Sequence, residues 1–320
     1  MLRCAVLDDY QDVARKFGDW SKLKGRVEPL VLTEHIPDRE RLAQTIGDAE
    51  IVIAMRERTP FDRAMIEHLP KLKLLVTTGM RNAAIDLKAA AERGIVVCGT
   101  ESSASATAEL TWGLIFALMR HIPAEAQNLR ELGNQWQLSV GREVSGRRLG
   151  VIGLGKLGSR VARAGLAFGM KVSAWSQNLT VERCDEVGVE RAESIDALLQ
   201  SADIATIHLV LSDRTRGLLG SRELGLMKRD ALLINTSRGP IVDETALIAA
   251  LKEKRIAGAG VDVYNREPLP ADHPFRSLDN VLATPHLGYV TEEAYKLFYG
   301  QAVDDIAAWL DGKPERVLGA

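Results

Sequence analysis

Short, continuous apolar runs recur along the chain, at residues 3–7, 51–54, 72–77, 96–98, 148–152, 171–174, 204–208, 231–235, 258–263 and 281–283. Few of them show the apolar/polar alternation of a half-solvated sheet. Continuous runs of this length suit strands covered on both faces, and hence parallel sheets. Between them the apolar positions fall at helical spacing, for example over 39–46, 86–93, 155–168, 194–200 and 244–254. This alternation of strand and helix predicts doubly wound α/β domains. Residues 102–119 read as one long apolar helix entered through small residues. Its stripe of Leu110, Leu114, Phe116, Ala117 and Leu118 is expected to form an interdomain or dimer core.

Composition narrows the picture. The chain has 320 residues, enough for two domains and a large core. A formal charge of −2 gives no reason to expect a nucleic-acid or anionic-membrane partner. Cys4, Cys98 and Cys184 are odd in number and far apart, which suits a reducing compartment and predicts a cytoplasmic protein. The first apolar run is too short for a signal-peptide core, and no run reaches the length of a membrane span. Without CxxC, HxH or HExxH spacing, no metal is expected.

The strongest chemical signal is Gly153-Leu154-Gly155-Lys156-Leu157-Gly158. It follows an apolar strand, opens a helical pattern and precedes a second strand, the setting of a dinucleotide-binding turn. Gly153 permits the turn, Gly155 admits a pyrophosphate to the backbone, and Gly158 lets the helix pack closely. The helix N-terminus then offers free N–H groups and a favourable dipole. An acidic residue is expected at the end of the second strand, where it would hold the NAD ribose. Ser176 stands there instead, and the first cation after it is Arg183. The cofactor is therefore NAD or NADP, with the choice open.

Three polar clusters close later apolar runs: Asn235-Thr236-Ser237-Arg238-Gly239, Asp262-Val263-Tyr264-Asn265-Arg266-Glu267-Pro268, and Thr284-Pro285-His286-Leu287-Gly288. Ligands of open α/β sheets bind beyond the carboxyl ends of the strands, so these loops could converge. Arg grips a carboxylate and polarises a carbonyl. His moves a proton near neutral pH, and a Glu partner fixes its tautomer.

With GLGKLG, NTSRG, VDVYNREP and TPHLG in this order, the chain resembles the D-isomer-specific 2-hydroxyacid dehydrogenases. The resemblance implies an NAD(P)-dependent oxidoreductase that interconverts a small 2-oxo acid and its D-2-hydroxy acid. Arg238 would bind the oxo acid, His286 would be the acid/base, and Glu267 would pair with it. Cofactor contacts would fall on Lys156, Leu157, Ser176, Thr236, Ser237, Asp262 and Gly288, beside the three glycines. Substrate contacts would fall on Met80 and Arg81, with Arg56 a further candidate. The implied fold is a Rossmann-type cofactor domain, 100–288, inserted into a discontinuous flavodoxin-like substrate-binding (catalytic) domain, 1–99 with 289–320. A homodimer is implied as well, and no regulatory domain is expected beyond Ala320. An NAD(H)-sensing corepressor-like binding protein of the same fold is the alternative. It is disfavoured by the lack of basic tails.

Overall fold

A computed structural model describes residues 1–131 and 133–319; Leu132 and Ala320, each within an expected domain, lie outside the described residues. Internal contacts divide the chain into two compact units: Met1–Ser103 with Val290–Ala320, and Ala104–Tyr289.

The first unit is a five-stranded parallel sheet. Its strands are β1 (Leu2–Val6), β2 (Val27–Val31), β3 (Ile51–Ala54), β4 (Leu74–Thr77) and β5 (Val96–Gly99), in the order β2-β1-β3-β4-β5. That order is flavodoxin-like. Strand side chains alternate between faces. Ala5, Val52, Ala54 and Leu75 join one core with Ile46, Phe61 and Met65. The helix Glu292–Leu310 packs against β4 and buries Phe298 and Tyr299. After that helix the chain returns antiparallel along the free edge of β5: Gly99 donates to the Arg316 carbonyl and Leu318 to that of Val97. Arg316 Nη2 lies 2.9 Å from Oδ1 of the fully buried Asp305, yet neither carboxylate oxygen receives an aligned hydrogen bond. Burial pushes the Asp305 carboxyl up to about 7, against the pull of Arg316.

The second unit is a seven-stranded parallel sheet. It comprises β6 (Arg148–Ile152), β7 (Lys171–Trp175), β8 (Glu190–Arg191), β9 (Ile204–Ile207), β10 (Leu232–Asn235), β11 (Gly258–Val261) and β12 (Val281–Ala283), ordered β12-β11-β10-β9-β6-β7-β8. This is the Rossmann order with one further strand. Direction reverses between β6 and β9, the switch point where such sheets bind ligands. Leu149 and Val151 of β6 face one core, shared with Trp112, Leu114, Ile115 and Val161. Ile152 faces the other, with Leu198, Leu233 and Ile241. The helix Ser105–Met119 thus packs within this unit, with Leu110, Phe116 and Leu118 partly buried against the same core. The next helix, Ile122–Arg130, buries no residue at all. Trp136 and Val140 beyond it are 79% and 93% exposed.

Candidate active site

The glycine turn sits at the switch point. Gly153 has φ +103°, and a Cβ there would come within 2.8 Å of the His208 carbonyl carbon and oxygen. Only glycine lets the turn pass the end of β9 in that conformation. A Cβ on Gly158 would stand 1.9 Å from the Gly153 carbonyl oxygen, so its absence lets the helix Lys156–Ala167 press against the turn. Gly155 differs from both. It is the N-cap, in an extended conformation (φ −78°, ψ −160°), has no side-chain cap, and a Cβ on it would meet nothing within 4 Å. The helix therefore begins at open space with uncapped N–H groups and the positive end of its dipole. This cradle fits the pyrophosphate of a dinucleotide. Lys156 is exposed on the first turn, and Leu157 packs against the core. Ser176 follows β7 directly and is partly exposed.

Arg183 braces the turn. Its Nε donates to the Leu154 carbonyl at 3.3 Å and its Nη2 to Ser159 Oγ at 2.8 Å, while Nη1 pairs with Glu186. No sequence pattern pointed to this role, because the brace joins two helices through a single long side chain.

The three polar clusters follow three adjacent strands, β10, β11 and β12. In the first, Asn235 closes a small ring: its Oδ1 accepts from the Ser237 amide and its Nδ2 donates to the Arg238 carbonyl. Thr236 is buried, and Ser237 Oγ donates to the Leu209 carbonyl. The Arg238 guanidinium is half-buried and donates to the Ser237 carbonyl at 2.8 Å. A Cβ on Gly239 would stand 2.1 Å from the Tyr264 carbonyl carbon, so this loop lies directly on the backbone that follows β11. Gly239 stands in the NTSRG motif, yet its packing duty is evident only in three dimensions.

Glu267 joins the second loop to the third. Its Oε1 accepts from the Tyr264 amide at 3.0 Å, and its Oε2 lies 2.6 Å from His286 Nδ1. Both side chains are mostly buried. His286 has φ +56°, a left-handed conformation that costs a non-glycine residue energy and that clusters at functional sites. With Nδ1 held by a carboxylate, Nε2 is the ring nitrogen left for a substrate, an arrangement suited to moving one proton. The fully buried Asp262 turns away from such an exchange. Its oxygens accept from Thr284 Oγ1, Leu287 N and Gly288 N at 2.6–2.8 Å, holding the loop that carries His286. Burial raises its carboxyl above the usual range against those three donors. His208 is a different histidine altogether: burial lowers it to about 3, so its ring is neutral, 2.9 Å from Thr206 Oγ1.

The remaining candidates lie in the first unit. Arg56, at φ +49°, donates its amide to Thr78 Oγ1, and Asn82 Nδ2 donates to its carbonyl at 2.6 Å. The residues following β3 and β4 are thereby tied together. Met80 and Arg81 are exposed on the same loop as Asn82. Among the described residues no cluster of His, Cys, Asp or Glu has the arrangement of a metal site, and no helix is long and apolar enough to cross a membrane.

Residues 112–288 match the family description "D-isomer specific 2-hydroxyacid dehydrogenase, NAD binding domain". The chain belongs to this family. The D-3-phosphoglycerate dehydrogenase of Methanocaldococcus jannaschii is 39% identical over 81% of this chain, a stretch that makes up 49% of the relative's own length. The glyoxylate reductase of Aeropyrum pernix is 38% identical over 79% of this chain and 77% of its own. The crystal structure of a phosphoglycerate oxidoreductase from Vibrio cholerae superposes with a TM-score of 0.93 at 36% identity, covering 98% of this chain and all of the other. The family name and the glycine cradle agree on the cofactor: the second unit of this dehydrogenase-family chain is an NAD-binding domain in sequence and in form.

Proposed function

We propose that this 2-hydroxyacid dehydrogenase homologue interconverts a small 2-oxo acid and its D-2-hydroxy acid with NAD(H) or NADP(H). The observation that carries the reading is the 2.6 Å contact between His286, whose backbone is held at positive φ, and Glu267, in loops that follow strands of the same sheet as the glycine cradle. A dinucleotide held at the cradle of Gly153, Gly155 and Gly158 would supply, or take up, the hydride at C2 of the acid. This chain's residues do the rest. Arg238 grips the carboxylate and draws charge onto the carbonyl oxygen, a contribution worth about 3 kcal/mol where such donors have been removed. His286 holds the proton at Nε2 and gives it to that oxygen in reduction. Glu267 keeps the Nδ1 proton in place and balances the imidazolium. Gly153, Gly155, Lys156, Leu157 and Gly158 receive the pyrophosphate, Ser176 the adenosine ribose, and Thr236, Ser237 and Gly288 the nicotinamide end. Asp262 supports that end by holding the 286–288 loop. The first unit is the substrate-binding domain, with Arg56, Met80 and Arg81 at its site.

We place the protein in the cytoplasm, supported by three unpaired, buried cysteines. We also propose a homodimer that covers the helix Ile122–Arg130, which buries nothing within one chain, and Trp136, which stands in solvent. Sedimentation of a Trp136→Glu variant as a monomer, where the parent is a dimer, is the expected result; a monomeric parent refutes the dimer.

A panel of 2-oxo acids, each with NADH and NADPH, tests the main reading. Reduction of at least one acid is expected. His286→Ala should lower it by about 10²–10⁴-fold, the usual share of a general acid, with cofactor binding retained. Undiminished turnover in that variant refutes the assignment.

A further inference from the structure

We infer that Thr111 is a positioning residue that ties the loop of Arg238 to the loop of His286. The inference rests on the reading proposed above. Thr107 and Thr111 lie one turn apart on the helix Ser105–Met119 and so share a face. Thr107 Oγ1 donates to the Gly288 carbonyl at 2.8 Å. Thr111 Oγ1 donates to the Thr107 carbonyl at 2.8 Å and lies 2.8 Å from Thr236 Oγ1. A hydroxyl has one proton. Thr111 spends its own on Thr107, so Thr236 must be the donor in the contact between them. The chain of hydrogen bonds therefore runs one way, from Thr236 through Thr111 to the backbone of Thr107. Thr107 in turn holds Gly288, two residues beyond His286, and Thr236 stands two residues before Arg238.

The placement of this hydroxyl argues against a merely packed side chain. Thr111 is fully buried, with buried Trp112, Leu114 and Ile115 beside it in the helix. An apolar side chain would fill the position without the cost of burying a hydroxyl. A threonine that bonds back to the carbonyl four residues earlier also weakens its helix slightly. What the hydroxyl provides is an acceptor for Thr236, and with it a fixed spacing between two catalytic loops. Small displacements at such loops cost rate far more than they cost stability.

Thr111→Val and Thr111→Ser separate hydroxyl from packing. In Thr111→Val, kcat for the oxo acid is expected to fall about tenfold, equal to about 1.4 kcal/mol, while the dissociation constant for NAD(P)H and the melting temperature stay close to the parent's. Thr111→Ser is expected to restore the rate. Hydrogen exchange over 235–239 and 286–288 reads the same tie without turnover and should quicken in Thr111→Val alone. An unchanged kcat in Thr111→Val, or an equal loss in Thr111→Ser, overturns the inference. Should the parent reduce no oxo acid, the proposed reaction fails, and the exchange measurement alone then decides on Thr111. Unchanged exchange in Thr111→Val would overturn the tie.

Discussion

Two glycines three residues apart should answer a Cβ in different ways: Gly155→Ala in binding alone, Gly158→Ala in both stability and binding. The backbone at Gly155 is extended and open to any residue, and its added methyl touches nothing in the protein. Alanine there should leave the melting temperature unchanged or slightly raised, since replacing glycine where the geometry permits is worth about 0.4–1 kcal/mol. The methyl would nevertheless stand in the cradle. A dinucleotide forced away from the helix N-terminus should bind at least about tenfold more weakly, a loss of about 1.4 kcal/mol. At Gly158 the methyl starts 1.9 Å from the Gly153 oxygen, and carbon–oxygen approaches below 3.0 Å are essentially unknown. Helix and turn must part by about 1 Å, and overpacking of this kind costs about 1–3 kcal/mol. At roughly 2–4 °C per kcal/mol for a unit of this size, the melting temperature should drop by several degrees. Calorimetry with NADH fluorescence titration separates the two. A Gly155→Ala protein that binds NADH as the parent does would refute the placement of the phosphates over that residue.

Three further outcomes are expected. Glu267→Gln keeps the shape but can offer its single carbonyl oxygen to Tyr264 or to His286 and not to both; kcat should fall by at least about tenfold with cofactor affinity intact. Asp305 holds its proton up to about pH 7 in the folded chain and only to about 4 when unfolded, so the folded state binds more protons between those values and stability falls as pH rises through that window. Denaturant unfolding of Asp305→Asn at pH 5 and pH 8 should show a smaller loss between the two than the parent shows; an equal loss refutes the role of this carboxyl. Ser176→Asp places a negative charge directly after β7, at the proposed ribose position, and should weaken NADPH relative to NADH; an unchanged preference refutes that position as the selector.

The central strands were legible because a strand covered on both faces is apolar throughout, as in β3, β4, β9 and β10, each fully buried along its length. The edges were not. β2 reads Val-Glu-Pro-Leu-Val, and its proline and charge are tolerated because it lies at the end of the sheet order. β8 has two residues, too few for any pattern. The helix Ile122–Arg130 escaped notice because it has no buried face to betray a period. In the site, the ordered motifs marked Arg238, Glu267 and His286 as candidates, but the contact between Glu267 and His286 joins loops after different strands. Thr111 was hidden for a plainer reason. In an apolar helix a threonine reads as core, and only the oxygen across from it shows what the hydroxyl holds.

The helix Glu292–Leu310 completes the first unit's core from the far end of the sequence. During synthesis the five strands beneath it emerge first and wait for the whole second unit to be made. At about 5–20 residues per second that interval is roughly ten to forty seconds. Throughout it, the faces that will bury Phe298 and Tyr299 are uncovered, and the edge of β5 lacks its antiparallel partner. The second unit is continuous and can fold as it leaves the ribosome. The nascent chain can therefore complete its nucleotide-binding unit before the unit that contains its own N-terminus.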